Sequence, residues 1–218
     1  MPTYEYVPAA KPFEAKLDLI AGFLISHSDL APTMGKDIEF GSPEYWKKLS
    51  EKYLKGIAPK SPKEPTTVPD KMVAVILEDY FSVDTSKRDE ITKNHSLSMA
   101  AEGIVGDLLE RYLASVLENH NWVWCAGSVV NKIDFIQIIQ GTTASYLALQ
   151  VKNRDNSENS SSSSVRNGTD IKKWFRSFSR TGQTNWGDFP DVSLRSSLSE
   201  EKFENFVKTY VAILKTKP

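Results

Sequence analysis

Apolar positions recur at helical spacing through the first half of the chain and at strand spacing just past its middle. Phe13, Leu17, Ile20, Ala21 and Leu24 share one side of a helix within residues 13–31. Ser42-Pro43-Glu44 is an N-cap followed by proline at the first helical position, which opens a short helix through Trp46, Leu49, Tyr53 and Leu54. Gly56 with Pro59, Pro62, Pro65 and Pro69 marks 56–70 as a loop or surface strap, after which Asp70 caps a helix from about Lys71 to Phe81. The strongest helix is Ser98–Leu117. There Ile104, Val105, Leu108, Leu109, Tyr112, Leu113, Val116 and Leu117 form a wide apolar stripe that Asn119–Asn121 terminates.

Strand spacing follows over Trp122–Ser128, Val129–Ile139 and Ser145–Lys152, with Gly141-Thr142-Thr143 as the turn joining the last two. Asn153–Thr169 is polar and contains five consecutive serines, Ser160–Ser164. Asp170–Phe178 is predicted to be a helix anchored by Trp174, Phe175 and Phe178, its N-terminus open to a phosphate. A last helix covers Ser199–Lys215, with Ser199 as its cap. Helices, then a three-strand meander, then a polar loop and more helix make an α/β or α+β domain.

The most informative chemistry lies in Ser145–Arg154, SYLALQVKNR. Alternate side chains of a strand share a face, so Leu147, Leu149 and Val151 point one way and Ala148, Gln150 and Lys152 the other. Asp134, in KIDFIQI, reaches the same strand end if the two runs pair as a hairpin. An acid, a carbonyl-bearing side chain and a lysine are the working parts of a metal-dependent phosphodiesterase. A hard divalent cation prefers oxygen donors, and magnesium keeps several waters beside one or two carboxylates. Asp134, the Gln150 amide oxygen and the Val151 carbonyl are therefore the metal-binding candidates. Lys152 is the group that orients water or neutralises charge on the phosphate. A solvated strand end with no chemistry fits the same spacing.

On the preceding helix, Glu102, Gly106 and Glu110 follow at i, i+4 and i+8. Glycines at 103 and 106 each cost roughly 1 kcal/mol relative to alanine inside a helix, which predicts another backbone passing close by. Glu110 borders the buried stripe and is a candidate catalytic carboxylate; a surface pair with Arg111 is the plainer reading.

Composition narrows the picture. A chain of 218 residues with 40% apolar content supports one cored domain, or one with a helical extension. A single cysteine, Cys125, excludes a disulfide framework and a multi-cysteine zinc site. His27, His95 and His120 lack metal-ligand spacing. No apolar run approaches the ~20 residues of a membrane span, and the N-terminus lacks a secretion pattern, so a cytoplasmic location is expected. The net charge of −1 hides an asymmetry: residues 1–150 hold 15 Lys/Arg against 20 Asp/Glu, whereas 151–186 hold seven basic residues against three acidic ones. A basic segment directly after the metal strand suits a polyanion.

GIVGDLLERYL, KIDF and LQVKNR together resemble the PD-(D/E)xK nuclease superfamily. More narrowly, VKNRDNSENSSSSSVRNGTDIKKWFRSFSRTGQTNW is similar to the SinI-type restriction endonucleases, which cleave GGWCC. The resemblance covers most of the chain from about residue 95 onward. It implies an α/β fold, a mixed central sheet flanked by helices. It also implies a single nuclease domain over 1–218: a mostly helical region to 95, a catalytic core and DNA-recognition loop over 96–186, and a C-terminal helix over 187–218. Implied further are magnesium, double-stranded DNA as substrate and a homodimer on a palindromic site. Matched residue by residue, Glu110 becomes the helix carboxylate (Glu102 the alternative), Asp134 the metal-binding acid and Lys152 the lysine. Gln150 departs from the family pattern, which has Asp or Glu there. Asn153, Arg154, Asn156, Asn159, Arg166, Asn167, Lys172 and Lys173 are the expected DNA contacts. Two rival readings are a repair or junction nuclease of the same superfamily and a non-catalytic DNA-binding protein that kept the fold.

Overall fold

A computed structural model describes residues 13–68, 70–139, 145–155 and 171–216. The turn at 141–143 and the serine-rich stretch of the polar loop lie outside the described residues. Its helices are α1 (Phe13–Ser26), α2 (Pro43–Ile57), α3 (Lys71–Asp79), α4 (Arg88–Leu117) and α5 (Glu200–Thr216), and its strands β1 (Trp122–Trp124), β2 (Phe135–Ile139), β3 (Ser145–Arg154) and β4 (Ile171–Ser177). The sheet order is β1-β2-β3-β4; β1–β2 and β2–β3 are antiparallel and β3–β4 is parallel. This is the mixed sheet with flanking helices that the resemblance implied.

The helix starts follow the sequence signals. Ser42 Oγ accepts the Tyr45 N–H at 3.2 Å to open α2, and Asp70 accepts the Met72 N–H at 2.9 Å to open α3. Helix α4 begins at Arg88, ten residues before the Ser98 start that the apolar stripe predicts. Its first turn carries Asp89 and Glu90, which complement the positive end of the helix dipole, so polar residues extend it where hydrophobic periodicity gives no signal. At the end of α2, the buried Arg111 guanidinium of α4 donates to the carbonyls of Gly56, Ile57 and Ala58 at 3.1, 2.9 and 2.7 Å. Those terminal carbonyls have no partner within the helix, and the guanidinium satisfies them. Arg111 is thus no routine surface partner of Glu110.

Three expectations change. Residues 171–177 form a strand, not a helix, so no helix N-terminus is available to a phosphate there. Trp174 and Phe175 suit a half-buried pleat, and pairing with β3 overrides the local helical spacing of Trp174 and Phe178. The long strands predicted over 122–139 shrink to β1 and β2, because Gly127, Ser128 and Lys132 adopt φ of +74°, +55° and +65° and break the extended path. Val129, Val130 and Ile133 are nevertheless buried, which is why the loop reads as strand. Finally, a Cβ placed on Gly103 or Gly106 meets nothing within 4 Å among the described residues. The close backbone approach is elsewhere: a Cβ on Gly56 would lie 2.3 Å from the Gly127 nitrogen.

The chain divides into two compact units, one of Met1–Pro59 with Leu108–Pro218 and one of Lys60–Asp107. The first holds the whole sheet. On one sheet face, Leu149, Phe135 and Trp174 are buried, and Trp174 packs on Trp186, which meets Tyr112 of α4 and Phe203 of α5. On the other face, Val123, Ile136 and Ala148 are buried, and Tyr146 stands edge-on to Phe23 of α1 at 5.2 Å. A sheet covered on both faces leaves its strand ends as the place for chemistry.

Candidate active site

Register fixes the site. Phe135 pairs with Leu149, so Asp134 stands one step beyond the last paired residue of β2, beside Gln150. Its N–H donates to the Leu149 carbonyl at 2.9 Å, its carbonyl accepts from Cys125 N–H at 2.8 Å, and its carboxylate accepts the Val151 N–H at 2.6 Å. In an extended strand the N–H and C=O of one residue point the same way. The Val151 carbonyl therefore points past the end of β2, on the side where the Asp134 carboxylate lies.

Burial raises the Asp134 carboxyl from an ordinary 3.8 to about 6, against the Val151 hydrogen bond and the Lys152 ammonium, which both lower it. A buried acid held at such a cost is a candidate functional group. Gln150 is buried and Lys152 half-buried, on the sheet face that alternation predicts. The β3–β4 pairing sets Gln150 opposite Lys173 and Lys152 opposite Phe175. Directly opposed residues share a face, so Lys173 brings a second ammonium beside Gln150. Lys172 lies on the opposite face, where it lines a small cavity with Trp122, Gln137 and Leu147. Neighbours in sequence are thus separated by the sheet, a division that a helix over these residues would not have made.

Glu110 is half-buried on α4 and accepts the Trp124 indole N–H at 2.9 Å. Trp124 is itself held by the Arg111 guanidinium, 5.2 Å from its ring centre. Burial raises the Cys125 thiol well above its usual range, with further upward contributions from Asp134, Glu110 and Glu118. Asp134 meets Cys125 through its backbone carbonyl, and Glu110 holds the adjacent Trp124. Glu118 is neutralised by Lys16 at 2.7 Å in a buried pair and belongs to the core. Glu102 is exposed and lies in the 60–107 unit.

Among the described residues no three His, Cys, Asp or Glu side chains converge on one point. Asp134, Gln150 and Val151 offer a carboxylate, an amide oxygen and a backbone carbonyl at neighbouring positions by the end of β3, the Asp134 carboxylate resting on the Val151 N–H. That oxygen-only set suits a hard cation that retains waters.

Of the expected DNA contacts, Arg154 is exposed and continues the face of Gln150 and Lys152. Asn153 accepts from Arg176 Nε at 2.9 Å, and Arg176 in turn pairs with Glu200. Asn156, Asn159, Arg166 and Asn167 lie outside the described residues. Sequence reasoning missed Arg111 and Trp124 as parts of this neighbourhood and had Lys173 only as a DNA contact, not as a neighbour of Gln150. Only for Lys173 was there a signal, the K-W-F-R alternation of β4.

A family model described as SinI restriction endonuclease matches residues 12–213. The type II restriction enzyme Eco47I of Escherichia coli is 47% identical over 171 residues, covering 78% of this chain and 74% of its own length. The type II restriction enzyme SinI of Salmonella infantis is 46% identical over 176 residues, covering 81% and 76%.

Proposed function

The chain belongs to the SinI restriction endonuclease family, and from that premise we propose magnesium-dependent double-strand cleavage at GGWCC by a homodimer, centred on Asp134. As a member it is a type II site-specific deoxyribonuclease, and its substrate is double-stranded DNA. The observation that carries the residue assignment is the Asp134 carboxylate held on the Val151 amide where β2 stops.

Asp134, the Gln150 amide oxygen and the Val151 carbonyl would hold the cation, whose chemistry is to polarise the phosphate and lower the pKa of attacking water. Lys152, on the Gln150 face, stabilises the negative charge that grows on the phosphate oxygens and orients water for in-line attack. Lys173 adds positive charge on that face. Because Gln150 supplies one neutral oxygen where the superfamily has a carboxylate, the site carries one less negative charge and favours one cation over two. Glu110, fixed by the Trp124 indole, positions water or the outer coordination shell.

Arg154, Lys173, Asn156, Asn159, Arg166 and Asn167 read or grip the DNA. Asn153 and Lys172 are the lesser contributors, the first engaged by Arg176 and the second on the other face. A cytoplasmic location belongs to the same reading.

The test is incubation with unmethylated phage DNA in magnesium or EDTA, followed by sequencing of the fragment ends. Discrete magnesium-dependent fragments ending within GGWCC support the proposal. Lys152→Ala should retain a gel shift while cleavage falls at least ~1,000-fold, the scale of losing a group that acts on the transition state. Undiminished cutting by this variant would remove Lys152 from the site. A gel shift by the unaltered protein without cutting would leave a DNA-binding protein that kept the fold.

A further inference from the structure

The 60–107 unit carries an apolar surface that the catalytic reading does not use. None of the nine residues of α3 is buried, although five of them are Met72, Val73, Val75, Ile76 and Leu77. Hydrophobic residues all round a helix call for cover on every side. One side of α3, through Val73 and Leu77, lines an open groove of about 810 Å³ whose far wall is Ile91, His95 and Met99 of α4. The other side presents Met72, Val75 and Ile76 outward as a ridge; Met72 is 59% and Ile76 54% exposed. Beyond it, Tyr80 and Phe81 are 79% and 63% exposed.

We propose that this helical unit is the homodimer interface, the α3 ridge of each copy packed antiparallel against the α3 ridge of the other. The inference rests on the nuclease reading in one respect: symmetric cutting of a palindrome requires two active sites related by a two-fold axis. Three features of the unit favour a second copy of this chain as the occupant. Met72, Val75 and Ile76 form one continuous apolar patch on a single helix, which can face its own copy across a two-fold axis as an isologous contact demands. Nine large apolar side chains between Val68 and Met99 are 44–91% exposed, the concentration of apolar surface that marks a protein–protein contact. Charge is placed for antiparallel pairing as well: Lys71 and Asp79 stand at opposite ends of α3, so a two-fold axis near Val75 sets Lys71 of each copy against Asp79 of the other. No charged side chain interrupts the ridge between them.

The experiment is the solution mass of the full-length protein, by sedimentation velocity across a concentration series, with no DNA and no cleavage readout. The unaltered chain should sediment as a dimer. Ile76→Glu should weaken dimerisation at least ~30-fold, the scale of a central interface residue. Lys71→Glu and Asp79→Lys should each weaken it, and the double exchange should restore it, which a merely unfolded variant cannot do. Val75→Cys should form a covalent dimer on mild oxidation, since the native Cys125 is buried. A monomeric unaltered chain overturns the proposal. So does a dimer indifferent to Ile76→Glu and unlinked by Val75→Cys, and so does an Ile76→Glu chain of unchanged mass with a lowered melting temperature, which would mean that α3 is covered by the rest of its own chain. A dimer of that indifferent kind that still cuts DNA leaves the nuclease reading standing.

Discussion

Replacing Asp134 with asparagine should make the protein inactive and more stable at once. Burial raises this carboxyl from 3.8 to about 6, so the folded chain holds its proton more tightly than the unfolded chain does. For such a group stability is greatest below pH 3.8 and declines as pH rises, until the loss levels off above about pH 6. At 1.36 kcal/mol for each tenfold change in proton affinity, the ionised buried carboxylate costs about 3 kcal/mol at pH 8. Asparagine removes the charge and keeps an oxygen for the Val151 N–H. The exchange of a charge-assisted bond for a neutral one gives back about 1 kcal/mol. A net gain of about 2 kcal/mol at pH 8 raises the melting temperature by roughly 4–8 °C for a chain of this size. At pH 5 about half of the penalty has gone, and the gain falls below about 1 kcal/mol. The assay is paired thermal melts of both proteins at pH 8 and pH 5 in EDTA, with plasmid cleavage in magnesium run alongside. A variant that melts below the unaltered protein at pH 8, or gains equally at both pH values, would refute the account of Asp134 as a carboxylate held ionised at a cost. A variant that still cuts would refute its role in the site.

Gly56→Ala should destabilise by about 3 kcal/mol or more, because the new methyl would sit 2.3 Å from the Gly127 nitrogen and backbone must move; urea denaturation measures it, and a loss under 1 kcal/mol would mean that α2 and the 126–127 turn slide apart freely. Arg111→Met should cost about 3 kcal/mol by the same measurement, since three carbonyls at the end of α2 lose their donor; a neutral result would show that water replaces it. Trp124→Phe should keep the core filled while freeing Glu110. Cleavage should then fall about tenfold in kcat with little change in DNA affinity, and parallel losses in both would point to a packing role alone.

The sequence by itself determined the helix boundaries that rest on local chemistry, Ser42-Pro43 and Asp70 above all, because a cap is a contact within four residues. It also determined which side chains of SYLALQVKNR stand together, since strand alternation needs no partner. The acid, amide and lysine suggested the reaction class, and the resemblance of LQVKNR and the polar segment after it to a known family named it.

Tertiary structure decided the rest. Residues 171–177 could pack their aromatics as helix or strand, and parallel pairing with β3 chose strand, placing Lys173 with Gln150 and sending Lys172 to the other side. Burial raised Asp134 and hid Val129, Val130 and Ile133 in a loop that reads as strand. Arg111 found the end of α2 more than fifty residues away in the chain. Each of these depends on which surfaces meet across long separations, and the hydrophobic pattern records only that a residue is to be buried, never against what.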